Sequence, residues 1–238
     1  MLASTRRILA DPYDILAHYA LGDMPGYTAG EGSRVEWLRR QSHRGVHLLA
    51  SIAFPRSQRR YVFAGRFELR FDAAFEEVVR ACADRPRTWL VSELIEGFCK
   101  LHRMGFAHSY ETWQDGRLVG GCFGVHIGAY ASIESCFHRV SHASKAAYGR
   151  TLLHLEERGF LLVDSNPVKD ASRNYGEEWL PQWKFEGLLR HAIERPVALT
   201  DGEPPPPPLP AKVRRILPLA RTMRKFARRV SGHMGPRV

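Results

Sequence analysis

The sequence predicts a mixed α/β fold, and three observations carry that expectation. Short segments with period-two apolar patterning cluster between residues 107 and 137, a helix-period stripe follows them, and an all-apolar run ending in a carboxylate comes next. The sharpest segment is Leu118–Val125. There Val119, Phe123, Val125 and, just beyond, Ile127 alternate with smaller or polar residues, and Gly120, Gly121 and Gly124 mark places where a backbone or a ligand approaches closely.

Each element has its own signal. Asp11 to Leu21 reads as a short helix with Tyr13, Ile15, Leu16 and Tyr19 apolar, stopped by Gly22. Residues 22–33 hold four further glycines or prolines and read as a loop. Val46 to Leu49 is a strand, Pro55 to Arg60 a basic cluster ahead of Tyr61-Val62-Phe63, and Phe67 to Phe71 another strand. Asp72 is a good N-cap for a helix burying Ala74, Phe75, Val78, Val79 and Cys82. Ser92 similarly opens a helix with Leu94, Ile95, Phe98 and Leu101 on one face, closed by Gly105. Ala107–Trp113 is a strand joined through the turn signal Gln114-Asp115-Gly116 to the glycine-rich one, and Ala129–Phe137 is a third. A helix then runs from Ser144 to Arg158, with Tyr148, Leu152 and Leu155 on one stripe and Gly159 as its stop; Phe160–Asp164 is the apolar strand.

These elements divide into a small α/β domain over residues 1–86, a second domain over 87–200, and a proline-rich linker with a basic tail over 201–238. The net charge of +10 belongs to the tail. From Pro204 onward nine Lys or Arg stand with no acidic residue, leaving 26 basic against 25 acidic residues before it, a net of +1. A basic groove in the folded part must come from clustering. Within the tail Val213, Ile216, Leu217, Ala220, Met223, Ala227 and Val230 recur at near-helical spacing; this is either a disordered basic segment or an amphipathic element that touches RNA or an anionic surface. Cys82, Cys99, Cys122 and Cys136 form no C-x-x-C pair and read as packed thiols; with no apolar leader and no apolar run of membrane-spanning length, a cytoplasmic protein is expected. His43/His47 and His138/His142 have metal-ligand spacing, but neither pair lies within one helix, so no metal site is expected.

Several words in fixed order resemble the leucyl/phenylalanyl-tRNA–protein transferases. They are Thr88-Trp89-Leu90, the run Leu101-His102-Arg103-Met104-Gly105-Phe106-Ala107-His108-Ser109-Tyr110-Glu111-Thr112-Trp113, Leu118-Val119-Gly120-Gly121 with Gly124-Val125, Glu134-Ser135 with Phe137, Ala143-Ser144-Lys145, and Asp164. The resemblance implies an acetyltransferase-like second domain with a mixed central sheet, acting as a monomer without cofactor or metal. It implies transfer of Leu, Phe or Met from charged tRNA to the N-terminal Arg or Lys of an acceptor protein, marking that protein for degradation. An aminoacyl ester is already activated, so the enzyme must orient the amine, help remove its proton and stabilise the oxyanion. By resemblance Glu134, Asp164 and Asn166 are the catalytic candidates. Trp89, Cys122, Tyr148, Leu155 and Val163 are the aminoacyl-pocket candidates, although each is equally readable as plain core. Arg56, Ser57, Arg59 and Arg60, with Ser144 and Lys145 at a helix start, are candidates for tRNA phosphates, against the alternative of a solvated charge run.

The sequence also departs from the family. Asn166 stands where the family has Gln, one methylene longer, and Ile133, Cys136, His138, His142, Ala171 and Glu177 replace residues usual there. Gly26 replaces an aromatic that the family stacks near the terminal adenosine, with Tyr27 or Trp37 available instead. Two further readings therefore stay open: an acyltransferase of the same fold acting on another amine, and a tRNA-binding module without catalysis.

Overall fold

Asp115 and Gly116 both carry positive φ, 51° and 70°, the backbone that a two-residue hairpin turn requires. That turn joins β5 (Ala107–Gln114) to β6 (Arg117–Ile127), the centre of the molecule. The structure is a computed structural model that describes residues 10–27, 35–39, 42–165, 175–200, 207–215 and 217.

In chain order the other elements are α1 (Pro12–Ala20), β1 (Met24–Tyr27), β2 (Val35–Leu38), β3 (His43–Leu48), α2 (Arg56–Phe63), β4 (Glu68–Phe71), α3 (Phe75–Ala83), α4 (Ser92–Arg103), β7 (Tyr130–His138), α5 (Ala143–Glu157), β8 (Leu162–Asp164), β9 (Glu178–Pro181) and α6 (Gln182–Ile193). Seven strands form one mixed sheet in the order β4-β5-β6-β7-β8-β3-β9. Only the β7–β8 pair is parallel within it, joined by α5 as the crossover. Period-two alternation sends Phe123 of β6 toward Phe75 of α3 and Phe98 of α4, at 6.2 and 5.2 Å between rings. Its neighbour Cys122 points the other way, to Thr151 of α5 at 3.6 Å. The sheet is thus covered by α3 and α4 on one face and by α5 on the other.

The expected helices over 11–21, 92–105 and 144–158 are present. Asp11 caps α1 by accepting from the Tyr13 N–H at 2.9 Å, and Gly22, Gly105 and Gly159 have the positive φ of helix stops. Two expectations, the loop over 24–27 and the Asp72 cap, are corrected. Residues 24–27, expected as loop, form β1, paired antiparallel with β2; the partner is remote in sequence, and Gly26 gives the Leu38 side chain room to lie against the ribbon. The basic cluster 56–60 is the first half of α2, running on into Tyr61-Val62-Phe63. Asp72 does not cap α3. It sits at φ 53° and turns back to accept from the Ser109 N–H at 2.8 Å and bond His108 Nδ1 at 2.7 Å, while Glu111 accepts from the Ala74 N–H at the helix start. Ser92 opens α4 as expected, with Val91 before it as cap.

The sheet runs across residue 86: β3 and β4, from the first 86 residues, are bonded to strands from the rest. Residues 211–215 are helical, and Val213 and Leu217 are buried in the main apolar core. Lys212 reaches Asp11 at 3.4 Å, so this stretch of the tail docks beside α1. The remaining apolar positions of the tail lie outside the described residues.

Candidate active site

The register of β7 against β8 ends at Ser132 opposite Asp164, whereas β7 continues six residues further to His138. In parallel pairs the carboxyl ends of the strands are the usual place for a ligand site. At that point β7 also slips against β6: Phe123 pairs with Ser135 but Gly124 pairs with Ile133, leaving Glu134 as the extra residue of a bulge. Only glycine fits at 124, because a Cβ there would strike the Ser132 carbonyl. Glu134, two residues on from Ser132, shares its face, and Ser132 donates a short hydrogen bond to its Oε1.

Asp164, at the end of β8, is fully buried. Its charge is met by Arg44 of β3, which donates from Nε at 2.9 Å and from Nη2 at 2.5 Å, and Tyr130 donates its hydroxyl to Asp164 Oδ2 at 3.1 Å. Arg44 is itself fully buried and packs its guanidinium 5.1 Å from the Phe185 ring centroid. Glu134 has no such cation of its own. Burial raises its carboxyl to about 7, the Ser132 hydrogen bond pulls it back, and the charge of Asp164 raises it further. A carboxyl titrating near neutrality accepts a proton most effectively at physiological pH. Tyr19 of α1 presents its hydroxyl to Glu134, buried and outside hydrogen-bonding geometry to any partner.

The two carboxylates therefore lie in one buried cluster with Tyr19, Arg44, Tyr130 and Ser132. Asn166 lies outside the described residues. The five pocket candidates divide between the faces of the sheet. Trp89 meets Phe98 edge-on at 6.3 Å, and Phe98 in turn contacts Tyr19 at 6.5 Å, so Trp89 shares the aromatic layer beside Glu134. Trp37 extends that layer, edge-on to Tyr19 at 5.5 Å and stacked on His18 at 4.5 Å. Cys122, Tyr148, Leu155 and Val163 belong to the α5 face. Tyr148 is hydrogen-bonded there at 2.9 Å to His47, the cross-strand neighbour of Val163, and burial holds His47 neutral, its imidazole lowered to about 4. Sequence reasoning missed Arg44 and Tyr130. The signal at Arg44 was weak: it stands second in a strand that also holds His43 and His47, ahead of the apolar Val46 and Leu48.

Residues 46–190 match the sequence profile described as leucyl/phenylalanyl-tRNA protein transferase. A protein of that name from Gloeobacter violaceus is 37% identical over 185 residues, which is 78% of this chain and 95% of the relative. Proteins of the same name from Paramagnetospirillum magneticum and Aromatoleum aromaticum are 36% and 38% identical, over 75% and 78% of this chain and 87% and 79% of their own lengths. The chain belongs to the leucyl/phenylalanyl-tRNA protein transferase family.

In this transferase the basic candidates form one surface. α2 packs on α5, allowed by Gly149, where a Cβ would lie 2.5 Å from a Val62 methyl. Tyr61, at the exposed side of that contact, stacks on His142 with ring centroids 4.0 Å apart and 25° between planes. Arg60 lies over the Tyr61 ring at 4.7 Å and Lys145 Nζ at 5.4 Å, so the 56–60 cluster and the start of α5 meet. Arg56, Ser57 and Arg59 are exposed beside them, and Ser144 is within 3.4 Å of His138. None of Arg56, Arg59, Arg60, Arg66 and Lys145 has a carboxylate partner among the described residues, whereas Arg39, Arg44, Arg70 and Arg80 are each paired.

Proposed function

We propose that this transferase moves Leu or Phe, with Met as a further cargo, from charged tRNA to the α-amine of an N-terminal Arg or Lys, and that the product is a degradation signal. The observation that carries this reading is Glu134. It is a buried carboxyl raised to about 7, in the bulge of β7 beside the end of β8, against an aromatic layer that suits an apolar aminoacyl group.

The acceptor nitrogen attacks the ester carbonyl carbon and the bond to the terminal ribose oxygen breaks, with that oxygen leaving protonated. An α-ammonium of pKa about 7.7–8.0 is partly deprotonated at neutral pH, so free amine is available to attack; Glu134 takes a proton from it as the C–N bond forms and passes that proton to the departing ribose oxygen. Asp164 is held by Arg44 and Tyr130, so it acts by fixing the end of β8 and by keeping Glu134 basic through its charge, and Asn166, two residues on, serves as a hydrogen-bonding partner of the amine. Trp89, Tyr19 and Trp37 wall the aminoacyl side chain. Cys122, Tyr148, Leu155 and Val163 support the sheet from behind. The surface of Arg56, Ser57, Arg59, Arg60, Ser144 and Lys145 takes the tRNA backbone, and the enzyme works as a cytoplasmic monomer.

Incubation of the protein with leucine-charged tRNA and a peptide beginning with Arg should yield a peptide one residue longer by mass. No extension with Leu-, Phe- or Met-charged tRNA, whatever the N-terminal residue, sinks the reading. Extension of small free amines with no preference for basic N-termini would place the chain instead among acyltransferases with another acceptor.

A further inference from the structure

His142 is held in the left-handed backbone region, φ 71°, a conformation that costs a non-glycine residue free energy and persists where the surroundings enforce it. What it gains there is the stack on Tyr61. Its imidazole is flanked by cations from the elements nearby, Arg60 from α2, Arg66 from the turn after α2 and Lys145 from α5, with the His138 side chain at the end of β7 beside it. Desolvation first, then these cations, Lys145 foremost, hold the imidazole below its ordinary value and so neutral. Arg60 is tethered as well, donating to the Tyr61 hydroxyl at 2.5 Å, so the cationic fork over the ring is already in place.

We infer that the Tyr61–His142 stack, with Arg60 and Lys145, is a seat for one backbone phosphate of the tRNA, and that His142 takes up a proton when the seat is filled. The inference rests on the reading of this face as tRNA-binding and adds to it a ligand atom and a proton. With the seat empty, the neighbouring cations repel a further positive charge. A phosphate among them reverses the local field, so the protonated imidazole becomes the favoured form and donates a charge-assisted hydrogen bond. By linkage the proton and the RNA then strengthen each other's binding.

The test is the affinity of the full chain for uncharged leucine tRNA, read by fluorescence anisotropy from about pH 8 to about pH 5.5, the range in which imidazole titrates, at constant ionic strength. The native chain should bind about five- to tenfold more tightly at the acid end, and its salt dependence there should steepen by about 0.7–0.9 in log–log slope. The acid gain should be lost in His142→Asn, because Asn tolerates the left-handed backbone and carries no proton. It should survive in His138→Ala. An unchanged gain in His142→Asn, or loss of the gain in His138→Ala alone, overturns the proton uptake at His142. If the double variant Arg59→Ala/Arg60→Ala binds as tightly as the native chain at about pH 8, the tRNA does not use this face and both readings fail. If that variant binds weakly while the native chain shows no pH dependence, the face stands and this inference falls.

Discussion

Glu134 and Asp164 are two carboxylates in one cluster with opposite solutions to burial. Asp164 is matched by a buried guanidinium, so removing its partner leaves an uncompensated charge. Arg44→Met should lower unfolding free energy by about 3–5 kcal/mol in urea titrations, and the double variant with Asp164→Asn should recover a large part of it. Glu134 instead raises its pKa. Because the folded value, about 7, lies above that of the unfolded chain, its contribution to stability is complete below the unfolded pKa and is lost as pH rises through 7. Glu134→Gln should therefore be more stable than the native protein at about pH 8, by on the order of 2–3 kcal/mol, and no more stable at about pH 4. The same variant should transfer at least about 100-fold more slowly while still binding tRNA, and the native rate should climb through pH 7 as the carboxylate forms. A native rate flat between about pH 6 and about pH 8 would count against Glu134 as the proton acceptor.

At the scale of elements, the bulge in β7 sets the register beside the site. Glu134 lies two residues from Ser132 and shares its face, while the extra residue moves the rest of β7 by one position against β6, so that Ser135 faces Phe123 and Cys136 faces Cys122. Gly124→Ala forces the Ser132 carbonyl away, and we expect transfer to fall by more than about tenfold for a stability loss of only about 1–3 kcal/mol. Equal loss of binding and turnover, with global unfolding, would show that the glycine serves the sheet and not the site. Much of this scale was legible beforehand. The helices over 11–21, 92–105 and 144–158 announced themselves because their apolar period, caps and glycine stops are all local, and the 114–116 turn was equally plain. The β1–β2 ribbon and β9 were not legible, because a four-residue strand is defined by a partner far away in sequence. Asp72 misled because a residue suited to capping was claimed by a stronger tertiary partner, His108.

At the scale of the whole molecule, the chain closes on itself twice. β3, from the first fifty residues, inserts between β8 and β9, so Arg44 reaches Asp164 across 120 positions of sequence. Residues 211–215 and 217 return to α1, burying Val213 and Leu217. The pair Val213→Ala/Leu217→Ala should cost about 2–4 kcal/mol, seen as a fall in Tm of at least about 5 °C by calorimetry. An unchanged Tm would mean that this stretch leaves the core without consequence.

The sequence by itself determined the α/β class, the helices over 11–21, 92–105 and 144–158, the family and the two carboxylates, since these rest on local periodicity and on ordered words that survive without coordinates. Only the tertiary structure decided what those carboxylates face: the buried guanidinium on one, the near-neutral titration of the other, the split of the pocket candidates between two faces, and the meeting of α2 with the start of α5 in one unpaired basic surface. The physical reason is that charge, burial and register are properties of neighbours. In this fold the neighbours of Glu134 and Asp164 come from α1, β3 and β7, which no local pattern joins.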